Sequence, residues 1–318
     1  MSDLPGVGKN LQDHAAVSGL SWTVNRGSSW TASILANPLN LKRFLRYGEG
    51  PMTSLVGTEW MTTYDKPFFS HSTPGLLTSP VGTEVMTTCT EGNAWAPSAV
   101  GDSKWPEIQL VFISATPAFD YGFAVRDKIG YDPEFYSKYF GDIYGAEGFS
   151  LAPFLSRPKS HGTVTLASND PSVKPVIDLN FLDHPDDITA LIRGIKFALA
   201  VGAMPAFSVD HGAKFHNKPL PGCEYKELGS DEYWECYIRH MATTSYHAAG
   251  SCKMAPKTDQ HGVVDSRLRV YGISGLRVVD ASIMPKIIST NLNAAVVMIA
   301  EKASDIIKED WKAFSKKE

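Results

Sequence analysis

Few residues of this chain combine a reactive type with a telling neighbourhood, and most of those lie late in the sequence. His247 stands in Tyr246-His247-Ala248-Ala249-Gly250-Ser251-Cys252-Lys253-Met254, an imidazole followed by small residues. Imidazole ordinarily titrates near neutrality, so it can take a proton from a hydroxyl at physiological pH. Asn291, in Asn291-Leu292-Asn293-Ala294-Ala295, cannot exchange protons at that pH, but its amide can hold a hydroxyl or a developing alkoxide in place. Asp280 follows the apolar run Leu276-Arg277-Val278-Val279 and offers a carboxylate able to accept hydroxyl hydrogen bonds. Each also has a plainer reading when taken alone: a structural histidine, a helix N-cap asparagine, a strand-end cap. Asp13 and His14, early in the chain, read as structural. The other histidines show no ligand spacing, so no metal site is expected.

Those residues need elements to position them. Pro185 suits the first turn of a helix, Asp186 and Asp187 supply early acidic groups, and Ile188, Leu191, Ile192, Ile195, Leu199 and Gly202 recur at helical spacing. The pattern predicts a helix over 185–203. A second helix begins near Ser230, with a stripe of Tyr233, Trp234, Tyr237, Ile238 and Met241. A third is predicted over 292–312, through Ala295, Met298, Ile299, Lys302, Ile306 and Trp311. Strand patterns fall at 162–166 and 107–115, and Leu276 to Val279 reads as a short buried strand. The stretch 65–105 is rich in Pro, Gly, Ser and Thr and reads as loop. A local duplication has its second copy there: residues 53–63, just before the stretch, and 78–88, within it, differ only at Leu55/Pro80 and Trp60/Val85. Two copies are too few for a stacked array, so a repeat fold is rejected.

Composition narrows the rest. Of 318 residues, 43% are hydrophobic and 20% charged, which suits a chain that buries a full core rather than a disordered one. Thirty basic against 34 acidic residues give a net charge of −4, so nucleic acid is not expected as a partner. No apolar run approaches the roughly 20 residues that span a bilayer, and Met1 to Gly6 carries neither the basic nor the apolar region of a signal peptide. Of the four cysteines, Cys89, Cys223, Cys236 and Cys252, none form a C-x-x-C pair, and whether Cys223 and Cys236 bond to each other stays open.

Four pieces in order carry a resemblance: Gly6-Val7-Gly8-Lys9-Asn10-Leu11-Gln12-Asp13-His14, the His247 segment, Arg277-Val278-Val279-Asp280-Ala281-Ser282-Ile283-Met284-Pro285, and Asn291 to Ala295. Together they resemble the glucose–methanol–choline (GMC) family of FAD-dependent oxidoreductases, closest in look to its insect glucose dehydrogenase branch. The resemblance implies oxidation of a primary alcohol or sugar CH–OH group. His247 would be the base and Asn291 the group orienting the hydroxyl. Asp280, Ala281 and Asn293 would face the FAD, with Ala248, Ala249 and Gly250 leaving room for flavin and substrate. Substrate is then a small alcohol or sugar, and oxygen or a quinone the electron acceptor.

The family's G-x-G-x-x-G βαβ unit has no counterpart here; Gly6-x-Gly8-x-x-Leu11 lacks the third glycine and follows no strand. The chain therefore resembles the C-terminal portion of a family member. The expected fold class is α+β: an antiparallel-sheet substrate domain with flanking helices, joined to the C-terminal part of an FAD-binding α/β domain whose N-terminal βαβ unit is missing. Residues 1–14 would end the FAD-domain passage, 15–245 would form the substrate domain with 65–105 as an excursion, and 246–318 would return to the FAD domain. Alone, such a chain is expected to hold FAD poorly, and a non-enzymatic fragment or binding module is the alternative reading.

Overall fold

The computed structural model describes residues 4–25, 37–47, 90–97, 105–123 and 125–315. Strands β1 (Ala15–Val17) and β2 (Ser21–Thr23) are followed by helix α1 (Pro38–Tyr47), then by β3 (Thr90–Pro97) and β4 (Pro106–Ile113). Helices α2 (Val125–Ile129) and α3 (Pro133–Phe140) precede β5 (Gly148–Leu155), β6 (Thr163–Thr165) and β7 (Val176–Asp178). The remainder is α4 (Pro185–Gly202), α5 (Pro205–Ser208), β8 (Lys214–Phe215), α6 (Asp231–Met241), β9 (Ala242–Thr244) and α7 (Asn293–Ser315). This is the expected α+β mixture. The duplicated segments 53–63 and 78–88 lie outside the described residues, as does most of 65–105.

Seven strands form one sheet in the order β3-β4-β5-β1-β9, with β2 pairing to both β5 and β8; β6 and β7 make a separate hairpin. Pairings β1–β5, β2–β5, β2–β8 and β3–β4 are antiparallel. Strand β3 is a correction, since 65–105 reads as loop throughout. Thr90–Pro97 contains Gly92, Asn93 and Pro97, all poor strand formers, and its register against β4 shifts at Gly92 and at Pro97. An edge position tolerates such residues, and the backbone ladder to apolar β4 supplies what local preference does not.

By contacts the chain divides into two compact units, one gathering 1–15, 155–187 and 244–318 and the other 16–154 and 188–243. Residues 155–187, placed in the middle domain on sequence, thus cluster with the two ends. In the second unit the α6 stripe buries as patterned, whereas Ile192 and Leu199 of the predicted α4 stripe are only half-buried. Tyr233, Trp234, Tyr237, Ile238 and Met241 of α6 are all buried, and α4 buries Ile188, Leu191, Ile195, Ala198 and Val201. Each fully buried aliphatic or aromatic side chain contributes about 1.5–3 kcal/mol relative to exposure. Ser230 caps α6 by accepting the amide N–H of Tyr233 at 3.1 Å. Cys223 and Cys236 are disulfide-bonded, which closes the question the sequence leaves open, and Cys252 is a free thiol.

In the first unit Val263, Val264, Leu268, Val270, Ile283, Met284, Ile287 and Leu292 form a core closed by Ile299 and Ala303 of α7. Met298 and Trp311, expected in the stripe of that helix, are 59% and 69% exposed, because the buried face runs through Ile299, Ala303 and Ile306. Arg267 pairs with Asp310 at 2.7 Å and Arg277 also bonds Asp310, so the helix is pinned to the 267–277 arc by charge as well as packing. The expected buried strand Leu276–Val279 is not formed. Its strand-like pairing is a single antiparallel bridge between Arg269 and Arg277 and two backbone bonds; Val278 and Val279 pack partly buried against the core, but Leu276 is 46% exposed. A four-residue apolar run becomes a buried strand only where neighbouring strands flank it, and among the described residues none does.

Candidate active site

The N-terminal motif is the scaffold of the site. Gly8 has φ +75°, and a Cβ there would lie 1.8 Å from the Val164 carbonyl oxygen, so only glycine fits the turn. Beyond it the chain runs extended between two partners. Leu11 exchanges both backbone hydrogen bonds with Gly162, and Gln12 does the same with Ala249. Gly250 has φ +88°, and a Cβ there would approach Asn10 O to 2.5 Å. Gly250 is therefore held to glycine by the passage of residue 10 against it, Ala249 is buried, and Ala248 alone of the three is exposed.

The side chains of the motif reach in two directions. Towards the His247 segment, Asn10 Nδ2 donates to Gly250 O at 3.1 Å. Asp13 Oδ1 accepts the amide N–H of His247 at 2.9 Å, while Asp13 Oδ2 accepts the Thr244 hydroxyl. Towards the segment leading to Asn291, Gln12 Nε2 donates to Pro285 O at 3.3 Å and Gln12 Oε1 accepts from Ile287 N at 3.2 Å. His14 does both: Nε2 lies 2.9 Å from Ile288 O, and Nδ1 lies 2.9 Å from His247 Nδ1. The two imidazoles meet edge to face, with an interplanar angle of 84°.

Burial sets the electrostatics. Asp13 is 4% and His14 1% exposed. Burial raises the Asp13 carboxyl above its ordinary value, opposed by the Thr244 hydroxyl and the amide N–H groups of His247 and His14. Burial, and next the neighbouring His247 ring, push His14 down to about 4. Burial also lowers His247. Both rings are thus neutral at pH 7, and a neutral His247 has the protonation state of a base.

The other sequence-derived residues are placed as follows. Asn291 is half-buried, three positions after the anchored Ile288, and precedes α7 rather than opening it. Asn293 is the first residue of α7 and is exposed. Asp280 is exposed and caps a short 3-10 turn over Ala281–Ile283, its Oδ1 accepting Ser282 N at 2.7 Å. Ala281 receives the amide N–H of Gly250 at 3.2 Å. Among the described residues the one close Cys/His group is Cys223, Cys236 and His240, whose two sulfurs are bonded to each other.

Reading Asp13 and His14 as structural did not foresee that both contact His247. The signal available was an adjacent acid–imidazole pair inside a motif otherwise made of turn and amide residues; nothing in the sequence shows that it meets a residue more than 230 positions away.

An FAD fits these groups in chemistry. Asp280 and Asn293 present polar side chains to solvent, with small residues beside them. Ser156 Oγ and Ser245 Oγ, on residues whose backbones bond His14, are buried with no hydrogen-bond partner among the described residues. These hydroxyls would be satisfied by a bound polar group.

Residues 158–300 match the sequence profile of the GMC oxidoreductase family. Over 168 residues, 53% of this chain and 27% of the relative, the chain is 41% identical to glucose dehydrogenase (FAD, quinone) of Drosophila melanogaster. Over 96% of its length it is 30% identical to the oxygen-dependent choline dehydrogenase of Cronobacter sakazakii, of which it covers 44%. The chain thus spans less than half the length of these relatives. Formate oxidase from Aspergillus oryzae RIB40 shares the fold, with a TM-score of 0.67 and 22% identity over 98% of this chain and 48% of that one. Residues 158–300 of this chain are thus matched by sequence to the C-terminal domain of the GMC oxidoreductases.

Proposed function

We propose that the chain carries the substrate-activating residues of an FAD-dependent oxidation of a primary alcohol or sugar CH–OH group. FAD, when bound, supplies the acceptor for the hydride that leaves the carbinol carbon. His247 takes the hydroxyl proton, and Asn291 holds the hydroxyl in line through its amide. Asp280, Ala281 and Asn293 are the residues that would hold the cofactor. The relatives' names pair the family with glucose and choline and with quinone and oxygen. For this chain the proposed substrate class is the small alcohols and sugars, and the acceptor one of those two.

The observation that carries the reading is the lacing of residues 10–14. One short segment bonds the His247 segment on one side and residues 285–288, just before Asn291, on the other. Such bonding holds a base and an orienting group in fixed positions, which is what proton abstraction needs. Lowering of His247 by burial keeps it unprotonated at neutral pH, ready to accept.

The test is anaerobic mixing of the flavin-loaded protein with a panel of primary alcohols and sugars, following loss of the oxidised flavin absorbance. His247→Ala is expected to slow reduction roughly 10²–10⁴-fold and Asn291→Ala by a smaller factor. Unchanged reduction by His247→Ala would remove the assignment of the base. Because 1–318 alone is expected to hold FAD poorly, the mixing uses a chain that also carries the family's N-terminal G-x-G-x-x-G unit; if that longer chain takes up no FAD, the alternative of a binding module gains the ground.

A further inference from the structure

The contact between two imidazoles raises a question that distance alone leaves unanswered: which nitrogen of each ring carries the proton. His14 Nε2 faces the carbonyl oxygen of Ile288 at 2.9 Å, and a carbonyl can only accept, so His14 Nε2 must be protonated. With His14 neutral, its one ring proton is used there and Nδ1 holds a lone pair. The partner of that lone pair, 2.9 Å away, is His247 Nδ1, and two lone pairs cannot face each other at hydrogen-bond distance.

We infer that His14 is a positioning residue that fixes His247 as the Nδ1–H tautomer. The chain of donors runs His247 Nδ1–H to His14 Nδ1, then His14 Nε2–H to Ile288 O. The inference rests on the reading of His247 as the base and adds the atom. The lone pair of His247 is confined to Nε2, for which no protein partner is present among the described residues. Nε2 is therefore the atom that receives the hydroxyl proton.

Balance follows directly. The substrate O–H bond breaks, an Nε2–H bond forms, and His247 becomes an imidazolium whose Nδ1–H···Nδ1 bond to His14 turns charge-assisted. A second backbone carbonyl, that of Ser156, faces His14 and likewise only accepts. Asp13, next to both rings, contacts their backbone N–H groups rather than their ring nitrogens. The tautomer is thus set by His14 and not by a carboxylate, unlike the Asp-oriented histidine of hydrolase triads.

Nitrogen-15 NMR of histidine-labelled chain at pH 7 reads protonation at each ring nitrogen without any redox turnover. Assignments come from the disappearance of signals in His247→Ala and His14→Phe. The expected wild-type result is His247 with a protonated Nδ1 and a bare Nε2, and His14 with the reverse. His14→Phe keeps a ring but removes both nitrogens, and is expected to shift His247 to a majority Nε2–H form. His14→Gln offers an acceptor and a donor on one planar amide, and is expected to restore the Nδ1–H form. A wild-type His247 protonated at Nε2, or an Nδ1–H form that persists in His14→Phe, would overturn the inference. If His14→Phe does not fold, the wild-type and His14→Gln spectra still decide. The expected tautomers together with undiminished flavin reduction in His247→Ala would sink the proposed reaction and leave the tautomer assignment intact. The reverse pair of results would do the opposite.

Discussion

Asp13 accepts the backbone N–H of His247 at 2.9 Å across a separation of 234 residues. That bond fixes the main chain of the proposed base, while the second carboxylate oxygen accepts the hydroxyl of Thr244, the last residue of β9.

Asp13→Ala leaves the His247 N–H and the Thr244 hydroxyl without their acceptor in a buried setting. It is expected to cost about 1–3 kcal/mol of stability. Asp13→Asn keeps one acceptor oxygen and should cost less. Urea denaturation midpoints compare the three proteins, and an Asp13→Ala midpoint equal to wild type would show that the carboxylate carries no positional load.

Acid should weaken the fold through His14. Its folded value is about 4 against an ordinary 6.5, so between those pH values the unfolded chain binds a proton that the folded chain refuses. The contribution is complete above pH 6.5 and is lost as pH falls towards 4, by about 3 kcal/mol at roughly 1.4 kcal/mol per pKa unit. His247, also lowered, adds in the same sense. Asp13 is raised, so the folded chain binds its proton more readily and the slope is partly offset. The difference in pH dependence between wild type and His14→Gln isolates the imidazole; identical slopes would contradict the assignment.

The Cys223–Cys236 disulfide ties the turn at 222–223 to the middle of α6. Reduction, or replacement of both cysteines by serine, is expected to cost about 2–4 kcal/mol and to lower Tm. Alkylation of the denatured, unreduced protein followed by mass spectrometry should leave both cysteines unlabelled. Labelling of either would show that they stand as thiols.

Gly250→Ala places a methyl 2.5 Å from the Asn10 carbonyl oxygen in a backbone conformation of φ +88°. The conformation alone costs about 1–3 kcal/mol for a residue with a side chain. The substitution should lower both Tm and the rate of flavin reduction, because Asn10 and Gln12 cannot stay in place. Ala248→Gly, on the exposed neighbour, is expected to leave Tm near wild type.

The three main helices were legible from periodicity and caps alone: Ser230 before Tyr233, Pro185 before Asp187, and the apolar spacing of Ile299 and Ile306 all carry local information. Met298 and Trp311 show the limit, since periodicity gives a stripe but not its edges. Thr90–Pro97 was illegible because its pairing partner, not its own residues, makes it a strand. Leu276–Val279 failed for the complementary reason: an apolar run without neighbours does not become a sheet. In the candidate site His247 stood out by motif, whereas the partnership with His14 depends on a contact 233 residues apart that no local pattern encodes.

The bonds from Gln12 to Pro285 and Ile287 span separations of 273 and 275 residues, nearly the whole chain. Contacts of such high order are entropically costly to close and form late in folding. During synthesis the disulfide-bearing helix leaves the ribosome well before Ile287 does, so a nascent chain can own a finished aromatic core while its two imidazoles are still strangers. On the proposed reading of His247, the joining of His14 to Ile288 is then a closing act of maturation, and a stalled or clipped product would keep its bulk yet leave the base without that support.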